Sequence, residues 1–373
     1  MKKKILALLL ALVTVLSLAA CGGSSNSDSA SDPGSSSNAP AGTSGSASGS
    51  SSSDTASDFD EITLNWGITP APTSGDAESA NRLAGLINEY TDGKVKVEVF
   101  PGATLGGEDV TLENLLSGTA DMGNVSPNVV ATVAPEMNAL CLPFLYNNFD
   151  VAKSVLGDPE YTAKINEILN PYGLKYLGIS YIAPRVITTN DEIHVPSDCK
   201  GQVIRVMGGQ IYSDIYANWN LNTTIISWGE CYTAMQQHTV DGIDGGNEPS
   251  MDMAFYEVAK YNVQLDYVYH AQMILMSMEK YNSLSEATRN ALDTAAAENL
   301  TWAVQFAYDH WVDDTAEVQT EPYNMTNINL SAEERQAWID ASQPVYEKYA
   351  PIIGDDFYNW LTGLAAEKNA EYT

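Results

Sequence analysis

Two hydrophobic periods trade places along most of this chain. Alternation in short runs marks strands, and recurrence every three or four residues marks helices. Residues 61–68 alternate as a strand, which the loop Thr69-Pro-Ala-Pro-Thr-Ser-Gly75 closes. Residues 79–90 follow as a helix with Leu83, Leu86 and Ile87 on one side, and Thr91-Asp92-Gly93 turns the chain into a strand over 94–100. Gly106-Gly107 precedes a helix through Leu112, Leu115 and Leu116. Residues 120–125 then read as a strand, and 137–145 are strongly apolar. Strands return at 174–179, 185–189 and 203–207. This βαβ rhythm predicts parallel sheets with helices on their faces, and ligands on such sheets sit beyond the carboxyl ends of the strands.

Further along, Ser285 caps a helix with apolar positions Leu292, Ala295, Ala296, Leu300, Ala303, Val304, Ala307 and Trp311. If unbroken from 286 to about 319, it spans roughly 50 Å, more than one small lobe needs, so it is expected to bridge two. Ser331-Ala-Glu-Glu334 matches a capping box and predicts one more helix start.

The first twenty residues follow neither period. Lys2, Lys3 and Lys4 precede an apolar run over 5–16, too short for a comfortable membrane span, which ends in Leu18-Ala-Ala-Cys21. That is the pattern of a bacterial lipoprotein signal, with Cys21 as the lipidated residue. An ordinary secretory cleavage site followed by a chance cysteine is the competing reading. Residues 22–58 then hold 16 Ser and 6 Gly with no aromatic or basic residue. Such a stretch cannot bury enough area to offset its ordering entropy. It reads as a tether whose root-mean-square reach is roughly 35 Å.

Charge narrows the function. The chain has 373 residues, 48 acidic against 18 basic side chains, and a net charge of −30. Such a field repels phosphate backbones and excludes nucleic acid as a partner. A hydrophobic fraction of 44% is enough to fill a large core, so wholesale disorder is excluded too. Four cysteines are too few for a disulfide scaffold, and Cys141, Cys199 and Cys231 read as packing residues.

No catalytic or metal constellation emerges. His194, His238, His270 and His310 are widely spaced and lack neighbours at ligand spacing. No nucleophile elbow, zincin helix or P-loop is present in the folded part, and no cofactor is expected. The pairs Asp109 with Glu113 and Asp313 with Asp314 are what chance provides among 48 acids. The five arginines are more informative. Arg185 and Arg205 stand at or near the edges of two strands expected to be adjacent, among Pro, Gly and β-branched neighbours. A planar guanidinium suits bidentate capture of a carboxylate, and a structural ion pair is the alternative for each.

The stretch reading Leu105-Gly-Gly-Glu-Asp, then Gly118-Thr-Ala-Asp-Met-Gly123, then Leu142-Pro-Phe-Leu145 resembles the solute-binding proteins of TRAP transporters, the DctP-type (four-carbon dicarboxylate-binding) family. Pro196-Ser-Asp-Cys-Lys-Gly-Gln-Val-Ile-Arg205-Val-Met is similar to the family's P-x-D-L-K-G-x-K-I-R-V strand. Ser227-Trp-Gly-Glu-Cys-Tyr-Thr-Ala-Met-Gln-Gln237 and Val240-Asp-Gly242 resemble its F-x-E-V-Y-x-A-L-Q-x-G-x-V-D-G. The resemblance continues through Phe255-Tyr-Glu-Val-Ala-Lys-Tyr261 and Met276-Ser277, and covers about residues 59–330.

It implies a two-lobed α/β clamp of the periplasmic-binding-protein kind, with a mostly parallel sheet in each lobe and a long bridging helix. Lobe one is expected at 59–184 with about 270–320, and lobe two at 185–269 with about 321–373, behind a signal peptide at 1–20 and a tether at 21–58. The family's carboxylate-binding arginine falls on Arg205, a second arginine on Arg185 and the aromatic that packs on the ligand on Trp228. Ungapped spacing puts Gly245 where the family has an asparagine, so either Asn247 replaces it or that contact is lost. Asn124 and Ser126, at the end of the strand over 120–125, complete the candidate ligand-binding set.

The expected function is therefore an extracytoplasmic, lipid-anchored receptor that captures a small organic acid and delivers it to the integral-membrane subunits of a TRAP transporter. A solute-binding protein of an ATP-driven permease and an extracytoplasmic hydrolase are the other readings. The hydrolase lacks a convincing nucleophile, acid–base pair or metal.

Overall fold

The structure, a computed structural model, describes residues 59–372. The leader, Cys21 and the tether lie outside the described residues. Eleven strands form two sheets. The first has the order β2-β1-β3-β10-β4, built from β1 (Ile62–Gly67), β2 (Val95–Phe100), β3 (Met122–Val125), β4 (Leu174–Pro184) and β10 (Tyr269–Ser277). The second has the order β11-β9-β5-β8-β6-β7, built from β5 (Val186–Thr189), β6 (Val203–Val206), β7 (Asn222–Ile225), β8 (Gly242–Gly245), β9 (Tyr261–Gln264) and β11 (Thr326–Asn329).

Both sheets are mixed. In the first, β1 pairs in parallel with β2 and β3, and β10 runs antiparallel to both β3 and β4. In the second, β5 runs antiparallel to β8 and β9, while the remaining pairs are parallel. The mostly parallel sheets expected from the βαβ rhythm are thus interrupted where β4 leads directly into β5, and β9 into β10. There the chain passes from one sheet to the other without the helical crossover that a parallel connection needs.

Side-chain periodicity explains the local elements. The helix Gly75–Tyr90 buries Leu83 and Ile87 against the first sheet, and Ser74 caps it by accepting the Ala77 N–H. The helix Glu286–Glu317 is unbroken. It packs along β4 and the first helix, and its last turns reach the short helix Asn247–Asp252 of the second half, where Thr315 meets Asn247. The capping box at Ser331 forms in both directions.

The two C-terminal helices pack on different halves of the molecule. Ala332–Ile353 sets Trp338 against Trp219 of the second half, at 5.0 Å between ring centroids. The final helix, Asp355–Glu371, packs on the first half instead: Trp360 stacks on Tyr161, and Asn369 donates to the Leu145 carbonyl. An amphipathic helix advertises an apolar face but not the body it turns toward. Cys141, Cys199 and Cys231 are buried and unpaired.

Candidate functional site

A cavity of about 330 Å³ opens between the two sheets, beyond the carboxyl ends of β1, β6 and β7. It is the crevice in which open α/β sheets bind ligands. Its walls come from both halves of the molecule, and hydrogen bonds cross it. Glu248 accepts the Gly75 N–H at 2.8 Å, Thr73 donates to Asp252 at 3.3 Å, and Asn128 donates to the Gly208 carbonyl.

Arg205 is the third residue of β6, opposite Thr224 of β7 and Ile243 of β8. The strand pleat sends Ile204 to one face and the guanidinium to the other. Its Nε donates to the Ile226 carbonyl at 2.9 Å, and its plane lies over the Trp228 ring at 5.2 Å. The side chain is 3% exposed, yet Nη1 meets no acceptor in the protein. Burial, with no carboxylate in contact, pulls the guanidinium below its ordinary pKa. Trp228 is held in turn edge-to-face by Phe255. Such a fork, backed by an aromatic and open into a cavity, is built to take an anion.

Arg185 lines the same cavity but is already paired. Its Nε reaches Asp244 Oδ1 at 3.0 Å and its Nη2 the Asp244 carbonyl at 2.8 Å. Burial works to lower its pKa, and the fully buried Asp244 outweighs this and raises it. Tyr267 donates to the other Asp244 oxygen. The two arginine strands are not neighbours, because β8 lies between β5 and β6 and carries Asp244 into position.

The other candidates stand behind the cavity rather than on it. Asn247 is enclosed by Gln264, Asn262 and Thr315, which together occupy both ends of its amide. Gly245 lies at the end of β8, with Thr188 and Ile243 around it. Asn124 accepts from Trp66 Nε1 and donates to Ser180 and Asp76. Ser126 meets His270 and Gln272 at 3.2 Å each.

These contacts lead to wall residues that sequence reasoning passed over: Asp76, Glu108, Tyr181, Glu248, His270 and Gln272. Glu108 had a local signal, the Gly106-Gly107 turn that starts its helix; the others had none. His270 is kept neutral, because burial first and Arg185 second drive its pKa well below 6.5. Burial pushes Asp76 up to about 7 and Glu248 up to about 8, and their mutual repulsion adds to it in Glu248. The folded state therefore holds these protons more tightly than the unfolded chain, and stability falls as pH rises from about 4 through 7–8. In the ligand-free protein, the stability gain of Asp76→Asn over wild type, read from thermal melts, is expected to grow by about 4 kcal/mol from pH 4 to pH 8. A gain that stays constant across that range would show that Asp76 is ionised in the folded protein throughout.

Two α/β sheets enclosing a cavity with one unpaired guanidinium define a protein that binds a small solute. Residues 67–351 match bacterial extracellular solute-binding protein family 7 (DctP), and the chain belongs to that family, the solute-binding proteins of TRAP transporters. It is 25% identical over 306 residues to the C4-dicarboxylate-binding protein DctB of Bacillus subtilis, covering 82% of this chain and 87% of that one. It is 23% identical over 302 residues to the sialic acid-binding periplasmic protein SiaP of Vibrio cholerae, covering 81% and 92%. Among solved structures, the sugar acid binding protein DctPAm of Advenella mimigardefordensis in complex with galactonate superposes with a TM-score of 0.77 at 25% identity, covering 83% of this chain and all of that one. Family members of this kind are extracytoplasmic receptors, and no helix among the described residues is long and apolar enough to cross a membrane.

Proposed function

We propose that this protein is the lipid-anchored receptor of a TRAP transporter, capturing an organic acid through Arg205 and delivering it to the transporter's membrane subunits. The observation that carries the reading is Arg205 Nη1, a buried cationic donor with no protein acceptor, on a side chain that lines the cavity between the two halves. A carboxylate there would accept from the fork while Trp228 covers the apolar part of the ligand. Arg185, paired with Asp244, contributes positive potential from the wall rather than a free fork. The relatives' ligands, a C4-dicarboxylate, sialic acid and galactonate, are all carboxylates and support an acid as the class.

Calorimetry against matched acid, amide and alcohol forms of candidate ligands tests this. The acid is expected to bind at least tenfold tighter than its amide, and equal affinities would point to a neutral ligand. The anchor rests on Leu18-Ala-Ala-Cys21 and the Ser/Gly-rich stretch behind it. Because a single acyl chain holds a protein weakly, stable retention needs the diacylglyceryl group on Cys21. Cys21→Ser is expected to shift the protein from the membrane to the soluble fraction or leave it unprocessed. Unchanged partitioning with normal processing would rule out a lipid on Cys21.

A further inference from the structure

Away from the two arginines, most of the charged and polar side chains on the largely apolar cavity wall are acceptors. Asp76, Glu108 and Asp109 face it from the first half, Glu248 and Asp252 from the second. Among the described residues none of these five carboxylates is ion-paired with a lysine, arginine or histidine. Asp76 is buried, Glu108 and Glu248 are half-buried, and Asp109 and Asp252 are exposed; desolvated carboxylates repel one another, which native proteins offset with a cation or a proton. Glu248 feels the charges of Asp76, Asp314 and Asp252, and Asp76 feels that of Glu108.

Gln272 supplies an independent sign of what this wall faces. Its Nε2 donates to Glu108 Oε1 at 2.8 Å and to Ser126 Oγ at 3.2 Å. A carboxylate only accepts, so chemistry fixes which end of the amide is the nitrogen. The side chain is 9% exposed, and its Oε1 has no donor in the protein. Gln272 thus carries a buried, unpartnered acceptor on a side chain that lines the cavity, as Arg205 carries a buried, unpartnered donor.

We propose that the ligand is a zwitterion, whose carboxylate meets Arg205 and whose cationic nitrogen, a protonated amine, is held by Asp76, Glu248 and Gln272. This rests on the carboxylate reading of Arg205 and adds the second charge. A hydroxyl would supply a donor to one of these acceptors but no positive charge, leaving protons alone to neutralise the carboxylates. An ammonium group supplies three donors and the missing positive charge. The Tyr181 ring, which lines the cavity and lies close enough to Asp76 and Glu248 to feel both charges, adds a π-face of the kind that attracts cations.

The test is calorimetry on the full-length protein in mild detergent. The probes are unbranched three- to six-carbon acids, each with an α- or terminal ammonium, a hydroxyl at the same carbon, or neither. At least one amino acid is expected to bind, with its hydroxy counterpart at least tenfold weaker. In Glu248→Gln and Asp76→Asn that ratio is expected to fall below threefold. Hydroxy acids that bind wild type as tightly as their amino counterparts overturn the zwitterion and leave the carboxylate reading standing. If the amides of the binding acids bind equally well, or if no acid binds, both readings fail. Should either variant not fold, the wild-type comparison decides alone.

Discussion

Arg205→Ala is expected to weaken binding of the organic acid by at least tenfold while leaving the fold intact. A hydrogen bond to a charged group contributes roughly 1.5–3 kcal/mol, and a fork that makes two in a desolvated cleft carries a large share of a micromolar affinity of about −8 kcal/mol. The local sign also matters, because a protein with net charge −30 repels anions everywhere else. Stability should not suffer. The guanidinium makes one hydrogen bond, to the Ile226 carbonyl, and is buried without a counterion, so its removal also relieves a desolvated charge. Arg205→Lys should weaken binding as well, since a point charge cannot reproduce the planar fork or its face against Trp228. Calorimetry paired with thermal melts checks both. Normal binding by Arg205→Ala would remove the clamp, and a collapsed melting temperature would make Arg205 structural.

Asp244→Asn should do the opposite, destabilising the molecule. Asp244 is fully buried in β8, and its carboxylate takes Arg185 Nε and the Tyr267 hydroxyl. Removing its charge leaves the Arg185 guanidinium inside the protein without its counterion. Breaking one side of a buried pair costs roughly 3–5 kcal/mol. At the shift of roughly 2–4 °C per kcal/mol seen in large domains, the melting temperature should fall by about 10 °C. Arg185→Gln in the Asp244→Asn background should recover part of that loss, because the orphaned charge goes with it. A single variant that melts with the wild type would show that solvent reaches Arg185.

The two arginines looked alike in the sequence and differ in the fold. Each stood at a strand among Pro, Gly and β-branched neighbours, and nothing local separated a free fork from a paired one. The difference is Asp244, which lies 59 residues from Arg185 along the chain and comes beside it only because β8 inserts between β5 and β6. Asn247 illustrates the same point from the other side. Its position in the chain made it a stand-in for a family contact, but Gln264, Asn262 and Thr315 enclose its amide and turn it away from the cavity.

The sequence by itself determined the elements and the kind of protein they build. Strand alternation, the long helix capped by Ser285, the Ser331 capping box and the family stretches are all properties of neighbouring residues, and backbone and side-chain periodicity act locally. Only the tertiary structure decided what the cavity asks of a ligand. Asp76, Glu108, Glu248 and Gln272 are scattered over nearly two hundred positions in a chain with 48 acids, where no carboxylate stands out. Packing sets them apart: it desolvates Asp76 and Glu248, brings like charges onto one wall and leaves the Gln272 amide oxygen without a donor, and packing joins distant segments.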